Sequence, residues 1–175
     1  IQITLDTTGR PQAGSVERAS IAALGLRNVQ GMAVDDVGRR LYLLDSGAQQ
    51  VVSLDLTTPF PYNSVSTLPL ASLGAQKWRG LAFHPANRQL FAAAPEQQML
   101  YALAQDGALV KSYTLADLAL SDPQSFVFAP SADLTDDPNT WHLFIADSYL
   151  PDSQAATVDP AELPQRAYLP LVASQ

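Results

Sequence analysis

One spacing constrains this chain more than any other feature: 49 residues. The stretch GMAVDDVGRRLYLLDSGAQQVVSLD, from Gly31, returns without a gap from Gly80 as GLAFHPANRQLFAAAPEQQMLYAL. Gly31 answers Gly80, Leu41 answers Leu90, Tyr42 answers Phe91, Val52 answers Tyr101 and Leu54 answers Leu103. A third copy opens at Ser125, where SFVFAP matches GLAFHP and HLFIADS matches RLYLLDS, with eight additional residues between the two segments. Ile3, Leu5 and Gly9 stand 98 residues, two periods, before Tyr101, Leu103 and Gly107. Self-similarity at a fixed period of this length is the mark of a repeat architecture.

Each unit reads as β-structure. Short apolar runs at Met32–Val34, Leu81–Phe83 and Phe126–Phe128 predict first strands, and Leu41–Leu44, Leu90–Ala93 and Leu143–Ala146 predict second strands. A third strand is predicted at Val51–Leu54, and a fourth at Val110–Leu115 after the Asp106-Gly107 turn. The breaks Asp35–Gly38, His84–Asn87 and Asp45–Gly47 carry turn chemistry. Four antiparallel strands in about 40 to 50 residues is the proportion of a propeller blade. The chain therefore reads as all-β, a partial β-propeller of about three four-stranded blades forming an incomplete ring. A β-sandwich with accidental self-similarity is the alternative. The division is residues 1–24 as the second half of a leading blade, 25–74 and 75–120 as blades, 121–150 as a partial blade with an acidic insertion, and 151–175 as a proline-containing tail.

A closed propeller needs about four to eight blades. Three stacked blades leave apolar sheet faces that something must cover. Three coverings fit: more blades of a longer chain, a second copy, or a different chain.

Composition narrows the function classes. The 175 residues suffice for a real core in one domain. A net charge of −7 argues against nucleic acid, which demands clustered Lys and Arg, and against an anionic membrane surface. The absence of cysteine excludes disulfides, thiolate catalysis and cysteine zinc sites. No apolar run reaches bilayer-spanning length, and no basic-then-apolar signal pattern stands at the N-terminus.

Individual residues sharpen the picture. Gly31 and Gly80 precede equivalent strands and predict a close approach of backbone to backbone. Trp78 is expected between blades, since a large aromatic usually serves packing. Thr57–Leu73 should carry an outer strand whose start is kept irregular by Pro59 and Pro61. Helical turns are expected near Ser20–Leu24 and Thr114–Leu120. The apolar end Ala167–Val172 would add a closing strand or dock elsewhere.

The segments QGMAVD, RGLAFHP and SFVFAP, with LYLLDSG and LFIADS, resemble the NHL-like and related six-bladed propellers of secreted bacterial proteins over about residues 25 to 150. The resemblance implies an extracellular or periplasmic location. It leaves the chemistry open, because propellers host binding proteins and enzymes alike.

Under that reading Gln30, Arg79 and Gln124, which precede the small residue of each copy, approach one rim of the central channel. They would bind a polar ligand by hydrogen bonds; the alternative is that they pair with neighbouring backbone. Lactonase-type propellers place metal-binding carboxylates around such a channel. Two amides and a guanidinium are poor ligands for a hard divalent ion. A second candidate is Asp133, Asp136 and Asp137 in the insertion, whose oxygens suit Ca²⁺ although the spacing is not that of an EF-hand; a solvated acidic loop is the alternative. Asp45-Ser46 and Asp147-Ser148 end the second strands. No G-x-S-x-G elbow accompanies them, and His84 and His142 lie beside turns, so these pairs read as turn caps rather than as nucleophile and base. The expected function is a secreted binding or interaction module for a protein, glycan or small ligand, completed by further blades of the same or another chain. The alternative is a metal-dependent propeller hydrolase of the phytase-like or lactonase-like kind.

Overall fold

The computed structural model describes residues 1–148 except 19, 58–64, 75–76, 119, 121, 131–136 and 138–139. Its ten strands form three antiparallel sheets. Sheet 1 comprises β1 (Val29–Asp35), β2 (Arg40–Asp45), β3 (Gln50–Asp55) and β4 (Val65–Pro69) in sequential order. Sheet 2 repeats the order with β5 (Arg79–His84), β6 (Gln89–Ala94), β7 (Met99–Leu103) and β8 (Leu109–Thr114). Sheet 3 pairs β9 (Pro123–Pro130) with β10 (Trp141–Asp147). The matched segments thus lie in separate sheets rather than in one continuous sheet. Single 3-10 turns cover Ala22–Leu24 and Ala116–Leu118, where the sequence predicted helical turns.

The hairpin turns explain why the register repeats. Arg39 and Arg88 hold φ of 51° and 57°, and Gln49 and Gln98 hold 51° and 52°. These left-handed residues close tight turns at matching points of both blades. Side chains of this size carry some strain there, which the flanking ladders hold in place.

The sheets stack through their first strands, with β1 against β5 and β5 against β9. Alternation of side chains across each strand supplies both faces. Ala33, Tyr42, Leu44 and Val51 of sheet 1 meet Leu81, Phe83, Leu90 and Leu103 of sheet 2 in one core. Phe91, Ala93 and Leu100 on the other face of sheet 2 meet Phe126, Phe128, Leu143 and Ile145 in a second core. Trp78 is fully buried in the first core, its ring 5.3 Å from that of Tyr101. The glycines sit where the first strands touch. A Cβ on Gly31 would fall 2.7 Å from Leu81 N, and one on Gly80, whose φ is 65°, would overlap the Phe126 ring. A close approach of this kind admits no side chain.

Residues 1–17, within the half-blade expected for residues 1–24, form no continuous strand. They form two isolated bridges, Gln2 with Glu17 and Leu5 with Pro11. A ladder is held by a neighbour on at least one side over several residues, and among the described residues this hairpin has no inner strand beside it.

Candidate functional site

The first strands place Gln30, Arg79 and Gln124 at corresponding points, before Gly31, Gly80 and Ser125. Their side chains do not converge on an open polar site; each is engaged locally. Gln30 Nε2 donates to Asn28 Oδ1 at 2.7 Å. Arg79 Nη1 donates to Asp122 Oδ1 at 2.5 Å, tying sheet 2 to the segment entering sheet 3. Gln124 Nε2 donates to the Asp122 carbonyl and to Ser148 Oγ, each at 3.2 Å. Ser148 Oγ in turn donates to Asp122 Oδ2 at 2.9 Å. The rim is a hydrogen-bonded belt in which the Asp122 carboxylate is held by the Arg79 guanidinium. Of the acidic insertion, Asp133 and Asp136 lie outside the described residues, and Asp137 is exposed. Among the described residues no group of three or more His, Cys, Asp or Glu side chains is placed to hold a metal ion.

The Asp-Ser pairs join elements. Asp45 is buried, and burial raises its pKa. Four backbone N–H groups, of Arg27, Asn28, Ala48 and Gly47, outweigh that cost, so its carboxyl titrates below the ordinary value. Asp147 Oδ1 accepts from the Asp122 amide at 2.6 Å, at the matching point of sheet 3. Ser46 Oγ accepts from the Trp78 amide at 3.1 Å and so links sheet 1 to sheet 2. Neither serine lies beside a histidine base in this network.

A cleft of about 530 Å³ opens toward the other ends of the same three strands. Met32, Val34, Phe83, Phe126, Val127 and Trp141 supply its apolar wall, and Asp35 and Asp36 stand at its lip. Met32, Val34 and Val127 are 64%, 50% and 56% exposed, a costly arrangement for large apolar side chains grouped in a concave surface. Asp35 is buried beneath the lip. Its Oδ1 accepts from the Gly38 amide at 2.8 Å and its Oδ2 from Arg88 Nη2 at 2.6 Å. With its amide turned so that the oxygen faces the guanidinium, Gln105 accepts from Arg88 Nη2 at 3.2 Å, and the guanidinium lies 5.9 Å from the Phe83 ring centre. His84 holds the position in sheet 2 that Asp35 holds in sheet 1. Its ring is 4.5 Å from that of Phe128, and desolvation there lowers its pKa below the ordinary histidine value.

Sequence reasoning looked to the rim and missed this cleft. The available signal was the alternation of β1, in which Met32 and Val34 are apolar on the face turned away from Ala33 and sheet 2. The Asp35–Arg88 pair had no sequence signal, because its partners lie 53 residues apart, at non-matching positions of the two equivalent turns.

No protein-family model matches the chain, and no curated protein sequence matches it. Solved structures do. A chain from the nidogen/laminin complex aligns with a TM-score of 0.50 and 19% identity over 68% of this chain and 39% of its own. A luciferin-regenerating enzyme aligns with a TM-score of 0.54 and 16% identity over 75% of this chain and 41% of its own. A chain of Kuenenia stuttgartiensis hydrazine synthase aligns at 0.46 and 11% identity over 78% of this chain and 36% of its own. This chain thus spans about two-fifths of the first two structures it resembles. Identity this low establishes the fold alone. Together with the stacked sheets, it makes the described residues part of a β-propeller.

Proposed function

We propose that this chain is a propeller-type interaction module, working outside the cytoplasm, that seats an apolar side chain of a protein partner in the inner-strand cleft. The observation that carries the reading is the grouping of exposed Met32, Val34 and Val127 in one concavity. Asp36, exposed at the lip, favours a partner segment with Lys or Arg beside its apolar anchor. The nidogen/laminin neighbour is itself part of a protein complex, which accords with such a role for the fold. A hydrolase would need a nucleophile and base, or carboxylates around an ion. The described rim offers Gln30, Gln124 and an Arg79–Asp122 pair instead, a donor set that does not fit a hard divalent metal.

The two methionines make the test direct, since Met32 lines the cleft and Met99 stands on β7 away from it. With methyl-labelled methionine, a panel of short peptides carrying an aromatic or leucine next to Lys or Arg is titrated against the chain. Supporting peptides shift the Met32 methyl signal and leave Met99 in place, and Met32→Glu abolishes the shift. A panel that leaves Met32 unmoved, or moves both methionines alike, removes the reading.

A further inference from the structure

The register of the three sheets puts the same two positions at each join between neighbours. At the mouth of the first hairpin in each sheet, Asp35 pairs with Arg40, His84 with Gln89 and Ala129 with His142. Asp35 and His84 are therefore equivalent. Arg88 and Trp141 each stand one residue before the paired Gln89 and His142, so they are equivalent as well. Between sheets 1 and 2 the join is an ion pair, Asp35 Oδ2 with Arg88 Nη2 at 2.6 Å. Between sheets 2 and 3 the same two positions hold His84 and Trp141, whose ring centres are 6.4 Å apart. Carboxylates and guanidinium groups stay charged across the range in which an imidazole titrates. The second join is thus built around the side chain type that changes charge near neutrality.

The His84 ring is packed among other rings. Its centre lies 4.5 Å from that of Phe128 and 6.3 Å from that of Phe91, in addition to Trp141. Nδ1 accepts from the Asn87 amide at 3.4 Å, which assigns the neutral tautomer with its proton on Nε2. A proton added at Nδ1 turns that acceptor into a donor facing a donor, and it sets a charge among three aromatic side chains. β6 and β9 carry no charged residue to offset it. The titratable groups on the surrounding elements are Arg88 in the same turn, held by Asp35, His142 beside Trp141, Asp147 at the far end of β10, Arg79 at the far end of β5, held by Asp122, and Asp137, exposed before β10. Burial is the larger influence on the ring and disfavours its charged form.

We propose that His84 is a proton-operated latch on the cleft: protonation of Nδ1 frees Phe128 and Trp141 and loosens sheet 3 from sheet 2, while the Asp35–Arg88 join keeps sheets 1 and 2 together. The consequence for binding rests on the cleft reading above, because Phe128 and Trp141 belong to the sheet 3 wall of that cleft. Met32 and Val34 stay open when sheet 3 loosens, but they lose the wall opposite, and a side chain seated between the two walls is released. The division into two cores allows such a local opening. Phe126, Phe128, Leu143 and Ile145 pack in the core that the latch guards, and Tyr42, Leu44 and Trp78 pack in the other. The linkage has one sign. A ring whose folded value lies below its exposed value of 6.5 is protonated first in the opened form, so acid drives opening between those two values, by up to about tenfold per pH unit. The module holds its partner at neutral pH and lets go in acid.

The test is amide hydrogen exchange of the full chain, followed residue by residue by NMR from neutral pH to below the histidine range. Protection factors, corrected for the intrinsic pH dependence of exchange, are expected to fall in β9 and β10 by about tenfold per pH unit below 6.5 and to hold in β1 to β3. The Trp141 indole signal should move along the same curve as the His84 ring protons, with the Trp78 indole unmoved. His84→Phe keeps an aromatic ring at the join and removes the slope, whereas His142→Gln retains it. The unsubstituted chain decides the matter even where the Phe variant does not fold. β9 and β10 protection that stays flat, or that falls equally in all three sheets, overturns the latch. Protection that rises in acid overturns it too, since imidazolium would then be held by the Trp141 face. A slope that survives in His84→Phe has the same force. Any peptide that moves the Met32 methyl signal at neutral pH should lose that effect in acid. Failure of every peptide at neutral pH counts against the occupant of the cleft and not against the latch, which exchange reads without a ligand.

Discussion

Tyr42 shows how the core sets the worth of a single atom. Its ring is buried between sheets 1 and 2, stacked on Phe83 with centres 6.0 Å apart, but its hydroxyl finds no hydrogen-bond partner there. Desolvation raises its pKa, with the nearby Asp35 charge adding to the effect. An orphaned buried hydroxyl costs about 1–3 kcal/mol. Tyr42→Phe is expected to leave stability unchanged or raise it by about 1 kcal/mol, read from urea unfolding at constant m-value. His84 makes the opposite kind of statement. Its folded pKa is depressed by desolvation from 6.5, so the unfolded chain takes up its proton first. The stability it carries is intact above that value and is lost as pH falls through the window beneath it, toward the depressed folded value. Urea midpoints measured across this window should fall with acidification, and His84→Gln should flatten that part of the profile. Asp45 adds a loss of the same sign at lower pH, since its carboxyl is also depressed.

At the scale of elements, strands came from local sequence and locks did not. The strands lie within a few residues of where apolar runs and turn residues put them, because a hairpin is specified by neighbours in the chain. The Asp35–Arg88 contact instead joins the β1–β2 turn to the β5–β6 turn. Asp35 is buried while the Arg88 side chain is 40% exposed, which discounts the interaction relative to a fully buried pair. Arg88→Met strands the carboxylate against the Gly38 amide and is expected to cost about 2 kcal/mol. Adding Asp35→Asn should return part of that loss. A double-mutant cycle by chemical unfolding measures the coupling, and additive costs would show that the two side chains act independently.

Across the whole molecule, sheet 1 packs on sheet 2 through one core and sheet 2 on sheet 3 through another, so stability should divide between two interfaces. The two tryptophans report them separately: Trp78 lies in the first core, and Trp141 packs against the second. Leu143→Ala, at a fully buried site, should cost about 2–5 kcal/mol. In Trp78→Phe and Trp141→Phe backgrounds, the Trp141 transition should move to lower urea ahead of the Trp78 transition. Coincident transitions would show that the stack unfolds as one unit.

Taken alone, the sequence determined the repeat, the strand order within each blade and the two glycines at which first strands touch. Each of these is written in local periodicity or in side-chain volume. It placed Gln30, Arg79 and Gln124 at matching points, yet the belt that engages them through Asn28, Asp122 and Ser148 depends on how one sheet is rotated against the next. The cleft depended on that rotation too. Whether Met32, Val34 and Val127 are core or surface is decided by which neighbouring sheet is present, and burial is a property of the stack rather than of any residue in it.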